Sequence, residues 1–423
     1  MKRDRQINSF ILMSLICLVF SGCAGSEILD EIPRDFGVKS TQMTESTENT
    51  LAAEPEVPES APAVSVEEET DAHCFLWNMP DGYAYSCLSA AEQIWYRDME
   101  RILGYHLEEE KLSEEGLAQG LSETDIDKIF QCVLNDHPEL FYVEGYSYTK
   151  YTLLEKITDI AFSGTYNVDE ETARIKEEQI EAAAEDILSG IEVSASDYDK
   201  VKYVYDTVIC ETDYQLDSAD NQNIYSVFVN HASVCQGYAK ATQYLLNRLG
   251  VECTLVLGTV DTGEGHAWNL AKVDGSYYYV DTTWGDASYQ MEEEATGLQM
   301  PAMPEINYDY LNVTTEELLR THRIDSNVPM PACVATKANY YVKEGALFSS
   351  YDKEQMSDLF SSAFEQGRDD VTVKCTDQTC YTEILTALVN NQEIFKYLND
   401  AGSSIAYAQN DKQLSLTFWV TNE

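Results

Sequence analysis

The chain has 423 residues, 74 of them acidic and 27 basic, for a net charge of −47 at pH 7. That balance repels phosphate backbones and anionic lipid surfaces, which argues against a nucleic-acid partner and leaves solubility as the ordinary role of the charge. The length and a hydrophobic content of 44% provide for two or three domains and a sizeable core.

Lys2, Arg3 and Arg5 precede an uncharged stretch from Ser9 to Phe20, followed by Ser21-Gly22-Cys23-Ala24. A basic segment, about a dozen mostly apolar residues and small residues at the cut describe a secretory signal. The run is too short for a transmembrane span, which takes roughly 20 apolar residues. Cysteine after Ser-Gly resembles a bacterial lipobox. That resemblance implies that Cys23 becomes the lipidated N-terminus of a membrane-tethered, outward-facing protein. Residues 24–72 are rich in Glu, Ser, Thr, Pro and Ala, with almost no aromatics. Such a segment buries too little to fold and is expected to be a flexible acidic tether.

Order is expected from about residue 73. Residues 88–104 have helical spacing, and Ser122 with Asp125 predicts the start of a helix through Cys132 and Leu134. D-H-P-E-L-F-Y-V leads into two alternating runs, Tyr142–Tyr151 and Ile157–Tyr166, which predict strands. Helices are expected over about Glu170–Leu188 and Asp197–Cys210, the second with Val201, Val204, Tyr205 and Val208 on one face. Residues 313–322 read as a short capped helix, and Asn327–Pro331 as a Pro-marked boundary. Beyond it the pattern predicts a strand at Ala338–Lys343 and a helix around Lys353–Glu365. A strand at Val371–Cys375, a helix around Tyr381–Leu398 and strands at Ser404–Ala408 and Leu414–Val420 complete it.

Eleven cysteines form no C-x-x-C pair and no Cys/His cluster with zinc spacing, so no structural metal is expected. An export context permits disulfides, for which Cys74–Cys87 and Cys375–Cys380 are sequence-local candidates, with free buried thiols as the alternative.

The chemistry concentrates in residues 231–286. Ala239, Tyr244, Leu245, Leu246 and Leu249 space like a buried helix face that ends at Gly250. Cys235 then falls in the first turn, where backbone N–H groups and the helix dipole favour a thiolate. Glu252–Val260, His266–Val273 and Ser276–Thr283 read as three strands, the last two joined by a tight Asp274-Gly275 turn. If those two residues are the turn, Val273 faces Ser276, His266 faces Thr283 and Trp268 faces Asp281. His266 and Asp281 then share one side of the sheet as diagonal neighbours. A carboxylate on one imidazole nitrogen with a thiol at the other is what nucleophilic catalysis by cysteine requires. Trp268, Trp284 and Tyr238 are candidates to wall a substrate groove, with the core as the equal alternative for the two tryptophans. His231 precedes the helix and is expected to be a solvated loop residue, and His73, His106, His137 and His322 have no partner pattern.

V-C-Q-G-Y-A, G-H-A-W-N and Y-Y-V-D-T-T-W-G-D, in that order, resemble the transglutaminase-like superfamily in its bacterial lipoprotein form. The resemblance implies an α+β fold with a papain-like core, in which a nucleophile helix packs against an antiparallel sheet. The element pattern adds a helical and α+β lead-in before that core and a small α+β domain after it, the last carrying little of the resemblance. The expected partition is a leader at 1–23, a tether at 24–72 and a lead-in at 73–195. The core would then span 196–330 and an accessory domain 331–423. By the same resemblance Cys235, His266 and Asp281 form a triad that works through a thioester on a glutamine carboxamide or peptide bond. Gln222 is then the candidate second donor to the oxyanion, beside the Cys235 backbone N–H. No calcium-loop pattern is present, so no cofactor or metal is implied. The expected function is acyl transfer or amide hydrolysis on proteins or cell-wall peptides, at the outer face of a bacterial cell membrane. The alternative is a non-catalytic binding module on the same fold.

Overall fold

The computed structural model describes residues 2–8, 82–153, 156–286, 304–398 and 404–421. The apolar stretch of the expected leader, Cys23, the expected tether and Cys74 lie outside the described residues.

Lys2–Asn8 is an edge strand, β1. Two helices follow, α1 at Tyr83–Ser86 and α2 at Ala90–Gly104. Ser89 and Glu92 close a reciprocal capping box that starts α2, and Trp95, Tyr96, Met99, Ile102 and Leu103 recur along its buried side. After β2 (Glu110–Lys111) and α3 (Glu114–Ala118), helix α4 spans Ile126–Asp136. It begins later than the Ser122 signal suggests. The Ser122 backbone N–H and hydroxyl both bond the Asp125 carboxylate, at 2.8 and 3.2 Å, and close a turn before the helix. The two predicted strands form a hairpin, β3 (Val143–Leu153) and β4 (Lys156–Tyr166), in a sheet ordered β1-β3-β4-β2.

The D-H-P-E segment that joins α4 to β3 is a buried fastening. Asp136 accepts the Ala84 and Tyr85 backbone N–H groups at 2.9 and 2.8 Å and the Tyr96 hydroxyl at 3.0 Å, which ties α1 and α2 to the end of α4. His137, without a partner pattern in the sequence, lies 2.7 Å from Glu139 and 3.1 Å from Glu100. Burial alone would push His137 down, but the two carboxylates outweigh it and raise it to about 10. A folded value above the unfolded one, about 6.5, adds stability that is complete below pH 6.5 and is lost as pH rises toward 10. The stability gap between the wild type and His137→Gln is therefore expected to be widest below pH 6.5 and to shrink steadily up to pH 10. Denaturant titration across that range checks it, and a pH-independent gap contradicts it.

Helices α5 (Glu170–Ser189) and α6 (Asp197–Cys210) lead to the central part, and Val201, Val204, Tyr205 and Val208 are buried as their spacing predicts. Two short parallel strands, β5 (Asp213–Tyr214) and β6 (Ala232–Ser233), bracket α7 (Ile224–Phe228). Helix α8 spans Cys235–Arg248. Strands β7 (Cys253–Val260), β8 (Gly265–Val273) and β9 (Ser276–Val280) follow. Then come α9 (Thr282–Gly285), a 3-10 turn at Tyr308–Tyr310, α10 (Thr315–Leu318) and β10 (His322–Ile324). The strands form an antiparallel sheet ordered β10-β7-β8-β9, and α8 packs on β7 and β8. Its residues are buried almost all round because α6 and α7 cover the side away from the sheet.

The Asp274-Gly275 turn has positive φ at both residues, 50° and 79°, and pairs Val273 with Ser276 as expected. The pairing stops at Asn269–Val280 rather than continuing to His266–Thr283. Asp281 leaves the strand there because its carboxylate caps α9, accepting the Thr283 and Trp284 N–H groups.

The last part holds α11 (Tyr340–Lys343), β11 (Leu347–Phe348), α12 (Lys353–Glu365), β12 (Asp370–Cys375), α13 (Gln378–Leu385), β13 (Ser404–Asn410) and β14 (Ser415–Thr421). Its sheet runs β11-β12-β14-β13. Two expectations change here. Ala338–Lys343 is not a strand but ends in a helix turn, because the Asn339 side chain caps Tyr341. Cys375 and Cys380 carry free thiols rather than a disulfide, and Cys87 is free too. This sheet is fastened to the core through Asp309, which takes Lys374 on one oxygen at 2.9 Å and Asn410 and Ser415 on the other at 2.9 and 2.6 Å.

Candidate active site

Cys235 is the first helical residue of α8. Val234 precedes it in extended conformation and offers no side-chain cap. Cys235 is 5% exposed and packs with Ala239, Leu255 and Ala267. Ala267 is the residue after His266 on β8, and the Asn269 amide bonds the Ala239 carbonyl at 2.9 Å, which locks α8 to that strand. The loop bearing Gln222 lies against the same helix start, since the Val234 N–H bonds the Asn221 carbonyl at 3.0 Å. Gln222 Oε1 is buried without a hydrogen-bond partner among the described residues.

His266 Nε2 lies 2.8 Å from Asp281 Oδ2. The predicted diagonal approach of these two residues is thus present, although Asp281 reaches the histidine from a helix cap rather than from a continuing strand. The carboxylate is fully enclosed. Oδ1 accepts the Thr283 and Trp284 backbone N–H groups at 3.0 and 3.1 Å. Oδ2 accepts a second imidazole as well, His322 Nε2 at 3.0 Å. Burial by itself would raise the Asp281 carboxyl, but the imidazoles of His266 and His322 outweigh it and hold it well below the usual carboxylate range. Asp281 is therefore an anion that only accepts, and His266 must present Nε2–H to it. That leaves Nδ1 as the basic nitrogen of His266.

His322 is the residue the sequence reading missed. It sits on a three-residue strand, too short for an alternation signal, and far along the chain from its partner. Gly258 makes room for that strand: a Cβ there would lie 2.0 Å from the Arg323 carbonyl oxygen and 2.6 Å from the Trp268 ring. Aromatic rings enclose the group. Trp268 stacks on His266 at 5.8 Å between centroids and meets His322 edge-on at 5.0 Å. Trp284 lies 4.8 Å from His322 and 6.1 Å from His266. Such walls keep water out and strengthen the enclosed hydrogen bonds.

Among the groove candidates, Trp268 takes the core alternative and Tyr238 is interior too. Trp268 and Tyr238 are both 0% exposed, so they fill the interior and line no open groove. Trp268 backs the imidazoles, and the Tyr238 hydroxyl bonds the Thr212 carbonyl and, at 3.0 Å, Asp286. Trp284 is only half-buried. His231 is exposed, as expected, with its ring at 3.1 Å from the Glu211 carbonyl.

The side-chain nitrogens of His266 and His322 and the Asp281 carboxylate converge within 4.8 Å of one another. Both Nε2 atoms aim at the single oxygen Oδ2, and hydrogen bonding accounts for that convergence.

Residues 182–282 match the family model of the transglutaminase-like superfamily. That segment includes Cys235, His266 and Asp281 and stops short of His322. No curated protein matches the chain. Among solved structures, a TGase is 16% identical over 39% of this chain and 48% of its own, with a TM-score of 0.24. The periplasmic domain of TgpA from Pseudomonas aeruginosa is 17% identical over 33% of this chain and 58% of its own, with a TM-score of 0.23. A proposed cysteine protease from Cytophaga hutchinsonii is 13% identical over 32% of this chain and 61% of its own, with a TM-score of 0.22. The chain thus spans about half to three-fifths of the length of these structures. Around the matched segment, helix α8 packs on the antiparallel strands β7 and β8, a mixed helix-and-sheet arrangement in keeping with the transglutaminase-like superfamily.

Proposed function

We propose that this chain, whose residues 182–282 match the family model of the transglutaminase-like superfamily, is a cysteine-dependent enzyme acting on amides of proteins or cell-wall peptides. Cys235 is the nucleophile, His266 the base and acid, and Asp281 the residue that orients His266. The observation that carries the reading is the Asp281–His266 bond, which uses Nε2 and leaves Nδ1 basic, on a strand packed against the helix that Cys235 heads.

The steps balance without an outside reagent. The thiol gives its proton to His266 Nδ1, and the thiolate adds to the amide carbonyl. The C–N bond breaks, the leaving amine takes the proton from His266, and a thioester remains. A second amine, or water, then adds and gives its proton to His266. The C–S bond breaks and the thiol is restored. The Cys235 backbone N–H and the Gln222 amide are the donors assigned to the oxyanion. Trp284 is assigned to the wall of the substrate groove.

The leader and Cys23 extend the reading to a lipid-anchored protein at the outer face of a bacterial membrane. No described helix is long and apolar enough to cross a membrane. One observation favours a second reading, a non-catalytic binding module: Cys235 is only 5% exposed.

Thiol alkylation separates the two. A small electrophile is applied from pH 5 to 9, and modification at Cys235 is read by peptide mass. Burial pushes Cys132 up to about 12 and Cys210 and Cys333 up to about 11, so these thiols add little background near neutrality. Wild-type Cys235 is expected to react well below pH 8, and His266→Ala to return it to an ordinary thiol profile near 8.5. An ordinary profile in both proteins sinks the enzymatic reading.

A further inference from the structure

A base–orienter pair needs one imidazole on the carboxylate, and here there are two. The polarity of the second can be followed outward. Asp281 only accepts, so His322 donates through Nε2. Burial, helped by the neighbouring His266, lowers the proton affinity of His322, and the Asp281 carboxylate and the Leu318 carbonyl only partly offset that, so the ring is neutral near pH 7. Nδ1 is then an acceptor. Thr321 Oγ1 lies 2.8 Å from it and donates there rather than to the Leu318 carbonyl, which stands farther off at 3.5 Å. The Tyr310 hydroxyl stands behind Thr321 Oγ1 at 3.4 Å. Tyr310, Thr321, His322 and Asp281 thus form one directed chain that ends on the oxygen facing His266.

We propose that His322 is a positioning residue for the thiol chemistry: a second neutral donor on Asp281 Oδ2 that draws charge away from His266 and so sets how tightly His266 holds its proton. The inference rests on the enzymatic reading and adds a residue outside the matched family segment. A merely structural histidine would be satisfied by any polar contact. This one shares the single oxygen used by His266, and its own far nitrogen is fixed by a hydroxyl.

Other groups around the chain leave the assignment intact. Tyr205 from α6 and Tyr310 from the 3-10 turn are pushed up by burial first and by Asp281 among other charges, and stay protonated. Asp309, next to Tyr310, is neutralised by Lys374. Asp286 accepts from Tyr238, and Arg323 is held by the Leu319 and His322 carbonyls. Cys235, on α8, is removed from the titration in the test.

The sign follows from the carboxylate. Losing one donor concentrates its charge on His266, which stabilises the imidazolium and raises its midpoint. The test is a ring-nitrogen NMR titration of the histidines in the full chain carrying Cys235→Ala, so that His266 titrates without a thiol partner. His322→Phe keeps a ring among Trp268, Trp284 and Tyr310 but donates nothing, and the His266 midpoint is expected to rise by about one pH unit. His322→Gln restores a neutral donor and is expected to return the midpoint close to the parent value. An unchanged midpoint in His322→Phe, with only the melting temperature lowered, overturns the proposal. So does an equal shift in His322→Gln. If His322→Phe does not fold, Thr321→Val serves: freeing Nδ1 releases the tautomer, and the His266 midpoint is expected to move up by less. An unmoved midpoint there overturns the proposal as well. These outcomes are separate from the alkylation result, which tests whether Cys235 and His266 act together at all.

Discussion

Cys235→Ala is expected to abolish turnover while leaving the fold in place. With an amine-donor probe and a peptide library as substrates, product formation should fall by on the order of a thousandfold or more, because Cys235 is the group proposed to carry the acyl chain. The substitution deletes one sulfur atom that already sits at 5% exposure among Ala239, Leu255 and Ala267, so its cost in stability is small. The same assay decides between the two outcomes of the thioester. Incorporation of the amine marks a transamidase, and new peptide termini mark a protease. Cys253→Ala is the control: that thiol heads β7, burial pushes it far up, and its loss should leave turnover near the parent rate. If the Cys253 variant loses turnover and the Cys235 variant retains it, the nucleophile has been misassigned.

Asp281→Ala is expected to damage both activity and fold. The buried carboxylate takes four N–H donors, from His266, His322, Thr283 and Trp284. Removing it leaves two buried imidazoles and a helix cap without acceptors, at a cost of roughly 3–5 kcal/mol. Asp281→Asn should cost less, since one amide oxygen still accepts, yet lose turnover almost as fully, since the amide cannot stabilise an imidazolium. The pH dependence has a definite sign. A carboxyl held below its unfolded value stabilises the protein above the usual carboxylate range, and that contribution is lost only as pH falls through the depressed folded value. The stability gap between the wild type and Asp281→Asn should therefore persist from neutral pH through mild acid and close only in strong acid. Chemical denaturation at pH 7 and pH 4.5 measures it, and a gap that vanishes by pH 4.5 rules out the proposed anchoring.

Much of this site was legible because its signals are local. A turn of Asp274 and Gly275 accepts positive φ at both residues, and that alone fixes the register of β8 on β9. Register brings His266 and Asp281 to one side of the sheet without any knowledge of the rest of the chain. The start of α8 follows from the spacing of Ala239, Leu245 and Leu246, which places Cys235 in its first turn. What failed was reading beyond one element. Ser276–Thr283 looks like an unbroken strand, but Asp281 has two competing uses for its carboxylate, and capping α9 ends the strand at Val280. Ala338–Lys343 alternates like a strand, yet Asn339 caps a helix turn there. Trp268 and Tyr238 show only their size and aromaticity in the sequence, and burial is decided by what packs over them.

By itself, then, the sequence determined the elements and the pairing of neighbours: a cysteine at a helix start, and a histidine and an aspartate across a two-residue turn. These are set by backbone sterics, capping and the periodicity of apolar residues, all of which act over a few positions. Only the tertiary structure decided who else reaches Asp281. His322 arrives on β10, held at the far edge of the sheet from β9 by pairing with β7, and nothing near it in sequence announces a partner. Its role comes from two nitrogens meeting one oxygen in a space closed by Trp268, Trp284 and Tyr310, a coincidence that exists only after the chain has packed.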